Sequence, residues 1–185
     1  MAQINKSSDY FNTKLYTGNN IGNQSQSITG VGFQPDFTWI KARETIAFHN
    51  LYDSVRGATK IIQTNTTTAE QTFSDGLTAF NSDGFSVGGR DDVNQNGSAI
   101  ASWNWLASNT TAANTDGSIT STVSANTTSG FSIVKWTGNG GTASVGHGLG
   151  VKPNIVIKKN LDVSTNWIFS TTIIDGSNDF FYLNS

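Results

Sequence analysis

The chain contains an internal repeat with a spacing of about 120 residues. The segment from residue 16 to residue 41 returns as the segment from 136 to 159, and the only two prolines, Pro35 and Pro153, fall at the same repeat position. A spacing of this size corresponds to a whole β-domain rather than to a short solenoid unit. We therefore expect a duplicated module whose two copies share the same strand-turn-strand geometry.

The second copy is shorter than the first. Its last residues, 182–185, resemble the region of residues 61–65, whereas the first copy continues to Trp105. We expect a first β-module at residues 1–106, a Ser-, Thr- and Asn-rich linker or edge strand at 107–128, and a partial second copy at 129–185. The partial copy then has to pack on the first copy, on another chain, or on sequence not present here.

Strand patterns dominate the sequence. Residues 84–87 and 131–136 alternate apolar and polar side chains at period two, so that one face can pack while the other stays polar. Turns rich in Gly, Asn and Asp separate such segments at short intervals, and no window has a sustained helical stripe. These features predict an all-β fold, an antiparallel β-sandwich of the jelly-roll or concanavalin-like type.

The composition excludes several classes of function. Only 13% of the residues are charged and the net charge is −2, which provides no basic surface for nucleic acid. There is no cysteine for a disulfide or a thiolate metal site. We expect no signal peptide, because the sequence of residues 1–6 lacks an apolar run. We also expect no membrane insertion, because no apolar run approaches the roughly 20 residues that cross a bilayer. The surface rich in hydroxyl and amide groups is typical of extracellular β-proteins and virion proteins.

One segment matches the start of a calcium-binding loop. Asp92, Asn94 and Asn96 place oxygen ligands at alternate positions before a glycine, with Asp91 as a further ligand. The twelfth position is Trp103 instead of the bidentate Glu, which excludes an EF-hand and leaves a non-helical Ca²⁺ loop. A hairpin turn at Asn96 and Gly97 is the preferred interpretation, since Asn-Gly is a strong hairpin signal.

The sequence contains no catalytic or cofactor-binding motif. The two histidines, His49 and His147, are far apart in sequence, and we interpret both as structural or surface residues. The aspartates mostly occupy turn contexts, as expected for turn-forming Asp. We interpret most of the aromatic residues as core. Trp103 and Trp105 share one face of a predicted strand and Asn104 points to the other, so the two tryptophans serve as a sugar platform only if their face is not the core.

The motifs as a set resemble a known family. They are Gly30 to Lys41, Leu51 to Lys60, Asp83 to Ser86, Ala101 to Trp105 and Val145 to Gly150. This set is similar to an uncharacterised β-rich module that occurs, often in tandem, in large structural and tail-fibre-like proteins of tailed phages, particularly marine ones. The resemblance implies a non-enzymatic virion protein, assembled in the host cytoplasm and exposed extracellularly, and carries no catalytic residues over to this chain.

Three functions are compatible with these observations. The leading one is a tail-fibre or appendage component that binds other virion proteins, forms a homo-oligomer and contacts host-surface glycans. The second is a capsid decoration protein. The third, of a different class, is a carbohydrate-binding or carbohydrate-active enzyme domain, which as a hydrolase needs two carboxylates facing one concave surface.

Overall fold

The computed structural model describes residues 4–185, and the all-β prediction is confirmed. Apart from a 3-10 turn at Ser7–Asp9 and a short helix α1 at Asp91–Asn94, the regular elements of this part of the chain are strands. They are β1 (Phe11–Thr17), β2 (Gln26–Thr29), β3 (Phe37–Ala42), β4 (Asn50–Asp53), β5 (Lys60–Gln63), β6 (Gln71–Thr72), β7 (Leu77–Asn81), β8 (Gly84–Val87), β9 (Ala99–Trp105), β10 (Ala112–Asn114), β11 (Ser121–Asn126), β12 (Phe131–Trp136), β13 (Ile155–Lys158), β14 (Ile168–Thr171) and β15 (Asp179–Tyr182).

The first copy is a two-layer sandwich. One layer has the strand order β1-β9-β3-β4-β5-β6 and the other has the order β2-β8-β7. Alternate side chains of each strand point between the layers, as in β3, where Thr38, Ile40 and Ala42 are buried. The core between the layers consists of Ile28, Ile40, Ala42, Tyr52, Ile61, Leu77, Phe85, Val87, Val93 and Ile100.

The smaller layer depends on a close backbone approach at Gly84. Gly84 has φ +146° and pairs with Thr29, and a Cβ atom there would lie 2.0 Å from the carbonyl oxygen of Ile28. Any larger residue would separate β2 from β8, which explains the Asp-Gly sequence at the start of β8.

The remaining strands form two further sheets. β10, β11 and β12 make one antiparallel sheet, and β13, β14 and β15 make the other. Residues 107–128 therefore hold two strands, of which β11 pairs with β12 at the start of the second copy and β10 pairs with β11. The isolated bridge between Ile119 and Val145 ties the same region to the loop that follows β12.

The repeat is visible in the backbone as well as in the sequence. The strands β13, β14 and β15 repeat the meander of β3, β4 and β5 in the same register: Phe37 pairs with Asp53, and the corresponding Ile155 pairs with Thr171. Backbone bonds at the strand ends recur too, with Ser54 N donating to Asp36 O at 2.8 Å and Thr172 N to Asn154 O at 3.2 Å.

The glycine turn before each meander also recurs. Gly30 and Gly148 have φ +80° and +74°, and Gly32 and Gly150 have φ +91° and +69°. These left-handed conformations explain the Gly-x-Gly pattern in both copies. The segment before the turn differs, because β2 pairs with β8 in the first copy and no described strand takes the place of β8 in the second.

Candidate assembly surface

The sheet β13-β14-β15, hereafter the second-copy sheet, is anchored to the first copy at one end. Trp167 is 3% exposed and packs against Leu51 and Ile62 on the outer face of the six-stranded sheet. Its indole Nε1 donates to the carbonyl oxygen of Gln63 at 2.9 Å. Leu161 and Leu183 extend this contact, so a second small core joins the two copies.

Loop contacts reinforce the anchor. Thr165 N donates to the carbonyl oxygen of Thr67 at 3.0 Å, and Glu70 N donates to that of Leu161 at 2.9 Å. Lys159 Nζ reaches the same Thr67 oxygen at 3.1 Å, and partial burial lowers the pKa of this ammonium group. The loop that precedes β6 thus holds the loop that follows β13.

Away from the anchor, the second-copy sheet exposes apolar side chains on both faces. Val156 and Phe180 lie on one face, while Ile157 and Phe181 lie on the other, because residues of neighbouring strands with these registers share a face. The exposed large hydrophobic residues of the second copy are Trp136, Val151, Ile155, Val156, Ile157, Val163, Ile173, Ile174, Phe180, Phe181 and Tyr182. Several of these residues lie together on one sheet, whereas exposed apolar residues on a soluble protein usually occur singly.

The first copy shows how the same positions are covered elsewhere in the chain. Thr38 and Ile61, which correspond to Val156 and Phe180, are buried beneath the layer β2-β8-β7. Among residues 4–185 no equivalent layer lies on the second-copy sheet, and all four residues of β13 are exposed. The residues of β13 are therefore as apolar as those of a buried strand, although they are exposed.

β13 also presents an unpaired backbone edge. Because Asn154 O accepts a bond from Thr172 N, the even-numbered residues of this strand bond to β14. The backbone groups of Ile155 and Ile157 consequently point to the opposite edge, where the described part of the chain offers no partner strand. Exposed edges of this kind are templates for strand addition.

The side-chain oxygen atoms of Asp92 and Asn94 in the predicted Ca²⁺ loop bond to other groups of the protein. Asp92 lies in α1 and its carboxylate pairs with Arg90 at 2.8 Å. Asn94 is buried: its Oδ1 accepts from Asn19 N at 2.9 Å, while its Nδ2 donates to two carbonyl oxygens. Asn96 is exposed in a turn between α1 and β9, followed by Gly97 with φ +75°. The predicted turn is therefore present, but it is not a hairpin because a helix precedes it. Within residues 4–185 no group of three His, Cys, Asp or Glu residues suits a metal ion.

The buried aspartates bond to the protein's own groups. Asp36 accepts hydrogen bonds from Ser54 Oγ at 2.6 Å, Ala107 N at 2.8 Å and Asn109 N at 2.9 Å, and so connects β3 to the chain after β9. Asp53 pairs with Arg56 at 2.5 Å. Their oxygen atoms hold loops in place.

The exposed Asp83 holds the Gly30 turn. Its two carboxylate oxygens accept from Gly32 N at 2.7 Å and Gly30 N at 2.9 Å. These backbone bonds, with a smaller contribution from Lys14, lower the pKa of the Asp83 carboxyl. The Asp83 carboxylate therefore stabilises the Gly30 turn through its two bonds to backbone amides.

The histidines lie in different parts of the fold. His49 precedes β4, and partial desolvation together with Lys41 lowers its pKa. His147 Nδ1 accepts from Leu149 N at 3.2 Å, which fixes the second glycine turn. The two histidines therefore lie in separate copies of the repeat.

The tryptophans of β9 lie on the outer face of the six-stranded sheet. Asn104 on the opposite face is fully buried, where it accepts from Thr38 Oγ1 at 3.1 Å. Trp103 is half-buried and its ring lies 6.3 Å from that of Trp39. Trp105 is covered by Phe131, with the ring centroids 6.2 Å apart. The Trp39 and Trp103 pair thus stays partly exposed, and Trp105, which is equally half-buried, contributes to the contact between the copies.

The family comparison covers almost the whole fold. A family model described as a domain of unknown function, DUF7483, matches residues 6–185. The chain belongs to the DUF7483 family. No curated protein and no solved structure matched the chain. The matched range of this DUF7483 chain includes both copies and the whole second-copy sheet, so the exposed sheet lies inside the family's domain.

No helix in residues 4–185 of the DUF7483 chain has the length and apolarity to span a bilayer.

Proposed function

We propose that this DUF7483 chain is a non-enzymatic structural protein of a tailed-phage virion, in a tail fibre or similar appendage. The observation that carries the proposal is the second-copy sheet, which exposes Val156 and Phe180 on one face, Ile157 and Phe181 on the other, and an unpaired edge at β13. Surfaces with these properties mark sites where another polypeptide binds.

The phage assignment is supported by the motif set described above, which spans the glycine turns of both copies and the Trp-Asn-Trp sequence of β9. Each of these motifs has a structural reason in this fold: the glycines adopt positive φ and Asn104 fills the interior of the sandwich. The motifs therefore describe a scaffold. In this proposal the chain is made in the host cytoplasm, joins other virion proteins and its own copies, and is exposed on the particle.

The non-enzymatic part of the proposal is supported by the positions of the carboxylates. Glycoside hydrolysis needs two carboxyl groups on one concave surface. In this fold Asp36 and Asp53 are buried in contacts with the chain itself, and Asp83 bonds to two backbone amides. Each of these three carboxylates is thus engaged by other groups of the chain.

Glycan binding is a second activity that one observation favours. The half-buried rings of Trp39 and Trp103 lie 6.3 Å apart on the outer face of the six-stranded sheet, and exposed aromatic faces stack on sugar rings. Replacing both with Ala should abolish binding to a panel of bacterial surface glycans, whereas Trp136→Ala, at a tryptophan 42% exposed in another sheet, should not. Equal binding by all three proteins would remove this activity from the proposal.

The virion assignment is tested on purified particles of a phage that encodes the chain. Mass spectrometry should detect the protein, and gold-labelled antibodies against it should mark the tail appendages. Label on the capsid would instead indicate a decoration protein. Absence of the protein from particles, or glycosidase activity of the purified chain, would contradict the proposal.

A further inference from the structure

We infer that the second-copy sheet binds one additional strand along β13, and that this strand is a β9-type segment from another module of the same fold. The inference rests on the proposed assembly role of the sheet and specifies the partner. Its test uses the purified chain and a peptide, so its failure would be distinguishable from failure of the virion assignment.

The first copy provides the template. β9 lies between β3 and β1 and is antiparallel to both. Arg43 N donates to Ala99 O at 2.8 Å, which shows that the odd-numbered residues of β3 bond to β9. The repeat places Ile155 and Ile157 at the positions of Phe37 and Trp39, so the unpaired edge of β13 is the edge that β9 occupies on β3.

β12 offers the matching edge on the other side. Leu106 N donates to Tyr10 O, so the even-numbered residues of β1 bond to β9. In the repeat these positions become Ser132, Val134 and Trp136. The turn that leads into β12 closes with Gly130 N donating to Asn126 O, and the pairing of Asn126 with Phe131 directs the odd-numbered residues of β12 to β11. The even-numbered residues therefore face away from β11, as they face β9 in β1.

Both edges that β9 bonds in the first copy are thus present and unpaired in the second copy, within residues 4–185. The one strand of β9 type in this part of the chain is already held between β1 and β3. A β13-to-β13 contact between two copies of the chain would cover one edge and leave β12 open. A β9-type strand matches the hydrogen-bonding positions of both.

Side-chain chemistry favours the same occupant. In the first copy β9 places Trp103 opposite Trp39 and Trp105 opposite Phe37. The corresponding residues of β13, Ile157 and Ile155, are apolar and about half exposed, at 45% and 48%. Aromatic residues at alternate positions of an incoming strand would cover these two isoleucines, since aromatic and β-branched residues are favourable cross-strand pairs.

The test is binding of a labelled peptide with the sequence of residues 97–107 to the purified chain, followed by fluorescence anisotropy. We expect saturable binding with one peptide per chain, and slower amide exchange at Ile155 and Ile157. A scrambled peptide of equal composition is the control. No saturable binding up to millimolar peptide would overturn the inference.

Backbone methylation separates the two edges. In β9 the odd-numbered residues bond to β3 and the even-numbered residues bond to β1, so an N-methyl group at Trp103 blocks the β13 side and one at Ser102 blocks the β12 side. We expect each modification to weaken binding at least tenfold. If only the methyl group at Trp103 weakens binding, the strand binds to β13 alone, which still supports the inference. If neither methyl group weakens binding, the inference is overturned.

A chain variant locates the site. Ile157→Asp places a charge at the proposed edge and should weaken peptide binding at least tenfold, whereas Ile174→Asp, at an isoleucine 63% exposed in the turn before β15, should leave binding unchanged. Circular dichroism verifies that both variants are folded, and Ile157→Thr provides a milder replacement if the first variant is not. Unchanged binding by a folded Ile157 variant, or self-association through β13 without affinity for the peptide, would contradict the inference.

Discussion

The indole Nε1 of Trp167 donates a hydrogen bond to the carbonyl oxygen of Gln63 at 2.9 Å across the boundary between the two repeat copies. Trp167 corresponds in the repeat to His49, and its backbone N bonds to Asn184 Oδ1 at 2.7 Å, as His49 N bonds to Asn65 Oδ1 at 2.9 Å. The second copy has therefore kept the backbone arrangement of this position and has gained a side chain that docks on the first copy.

Trp167→Ala should destabilise the contact between the copies. Removing a buried tryptophan costs about 3 to 5 kcal/mol, and here the Gln63 oxygen also loses its donor. We expect an earlier urea transition for the second copy, measured by circular dichroism and amide exchange. Trp136→Ala is the matched control and should change the transition by less than about 1 kcal/mol, because Trp136 is 42% exposed. Equal effects would contradict the anchoring role.

Asp36→Ala should destabilise the first copy strongly. The buried carboxylate accepts three hydrogen bonds, and the loss leaves the amides of Ala107 and Asn109 without an acceptor. Hydrogen bonds to charged groups contribute about 1.5 to 3 kcal/mol each, so we expect a loss of at least about 3 kcal/mol in the free energy of unfolding. Chemical denaturation measures it. The exposed Asp162→Ala is the control, and a similar small effect for both would refute this role.

Arg56→Ala should also be strongly destabilising. The guanidinium contacts Asp53 at 2.5 Å and Glu70 at 3.1 Å, with only 5% of its side chain exposed. Breaking a buried ion pair costs about 3 to 5 kcal/mol in the free energy of unfolding. Arg56→Lys should restore only part of this stability, because an ammonium group cannot bond in the same forked geometry. The repeat places the exposed Ile174 at this position, so Ile174→Ala should have little effect. Full recovery of the unfolding midpoint by Lys would contradict the proposed geometry.

The protein should lose stability as the pH rises above about 10. Burial raises the pKa of Tyr52, and burial followed by the charge of Tyr52 raises that of Tyr16, whose hydroxyl donates to Val93 O at 2.7 Å. A tyrosine of the unfolded chain ionises near pH 10, so these two groups stabilise the fold below that pH and progressively less above it.

This alkaline dependence has a direct measurement. Ultraviolet absorbance measures the ionisation of tyrosine side chains. The phenols of Tyr16 and Tyr52 should stay un-ionised until the protein unfolds. The double variant Tyr16→Phe with Tyr52→Phe should be less stable at neutral pH by about 1 kcal/mol for the lost Tyr16 bond, yet its stability should vary less with pH above 10. An unchanged pH dependence in this variant would show that other groups are responsible.

Much of the fold was predictable because its signals are local. Alternation at period two identified β8 and β12, and the segments rich in Gly, Asn and Asp indicated turns. The repeat predicted the strand-turn-strand geometry that recurs in both copies. These features depend on backbone sterics and on the side-chain period of a strand, which are properties of neighbouring residues.

The buried side of β9 was not predictable from its own sequence. Trp103 and Trp105 are the more apolar residues, yet Asn104 faces the sandwich interior and the tryptophans face outward. The outer position of the tryptophans depends on Phe131 and Trp39, which are distant in sequence. The role of Asn94 as a buried bond partner, and the docking of Trp167 on Gln63, likewise depend on long-range contacts. The exposure of β13 likewise depends on which strands pack around it in the fold.

The central claim is that another polypeptide covers the second-copy sheet, and hydrogen exchange at β13 tests it most directly. In the purified chain at a concentration where it is monomeric, we predict fast exchange at the amides of Ile155 and Ile157 and slow exchange at Val156, which bonds to β14. In assembled particles all three amides should exchange slowly. Fast exchange at Ile155 and Ile157 in the particles, or protection of both in the monomer, would contradict the account.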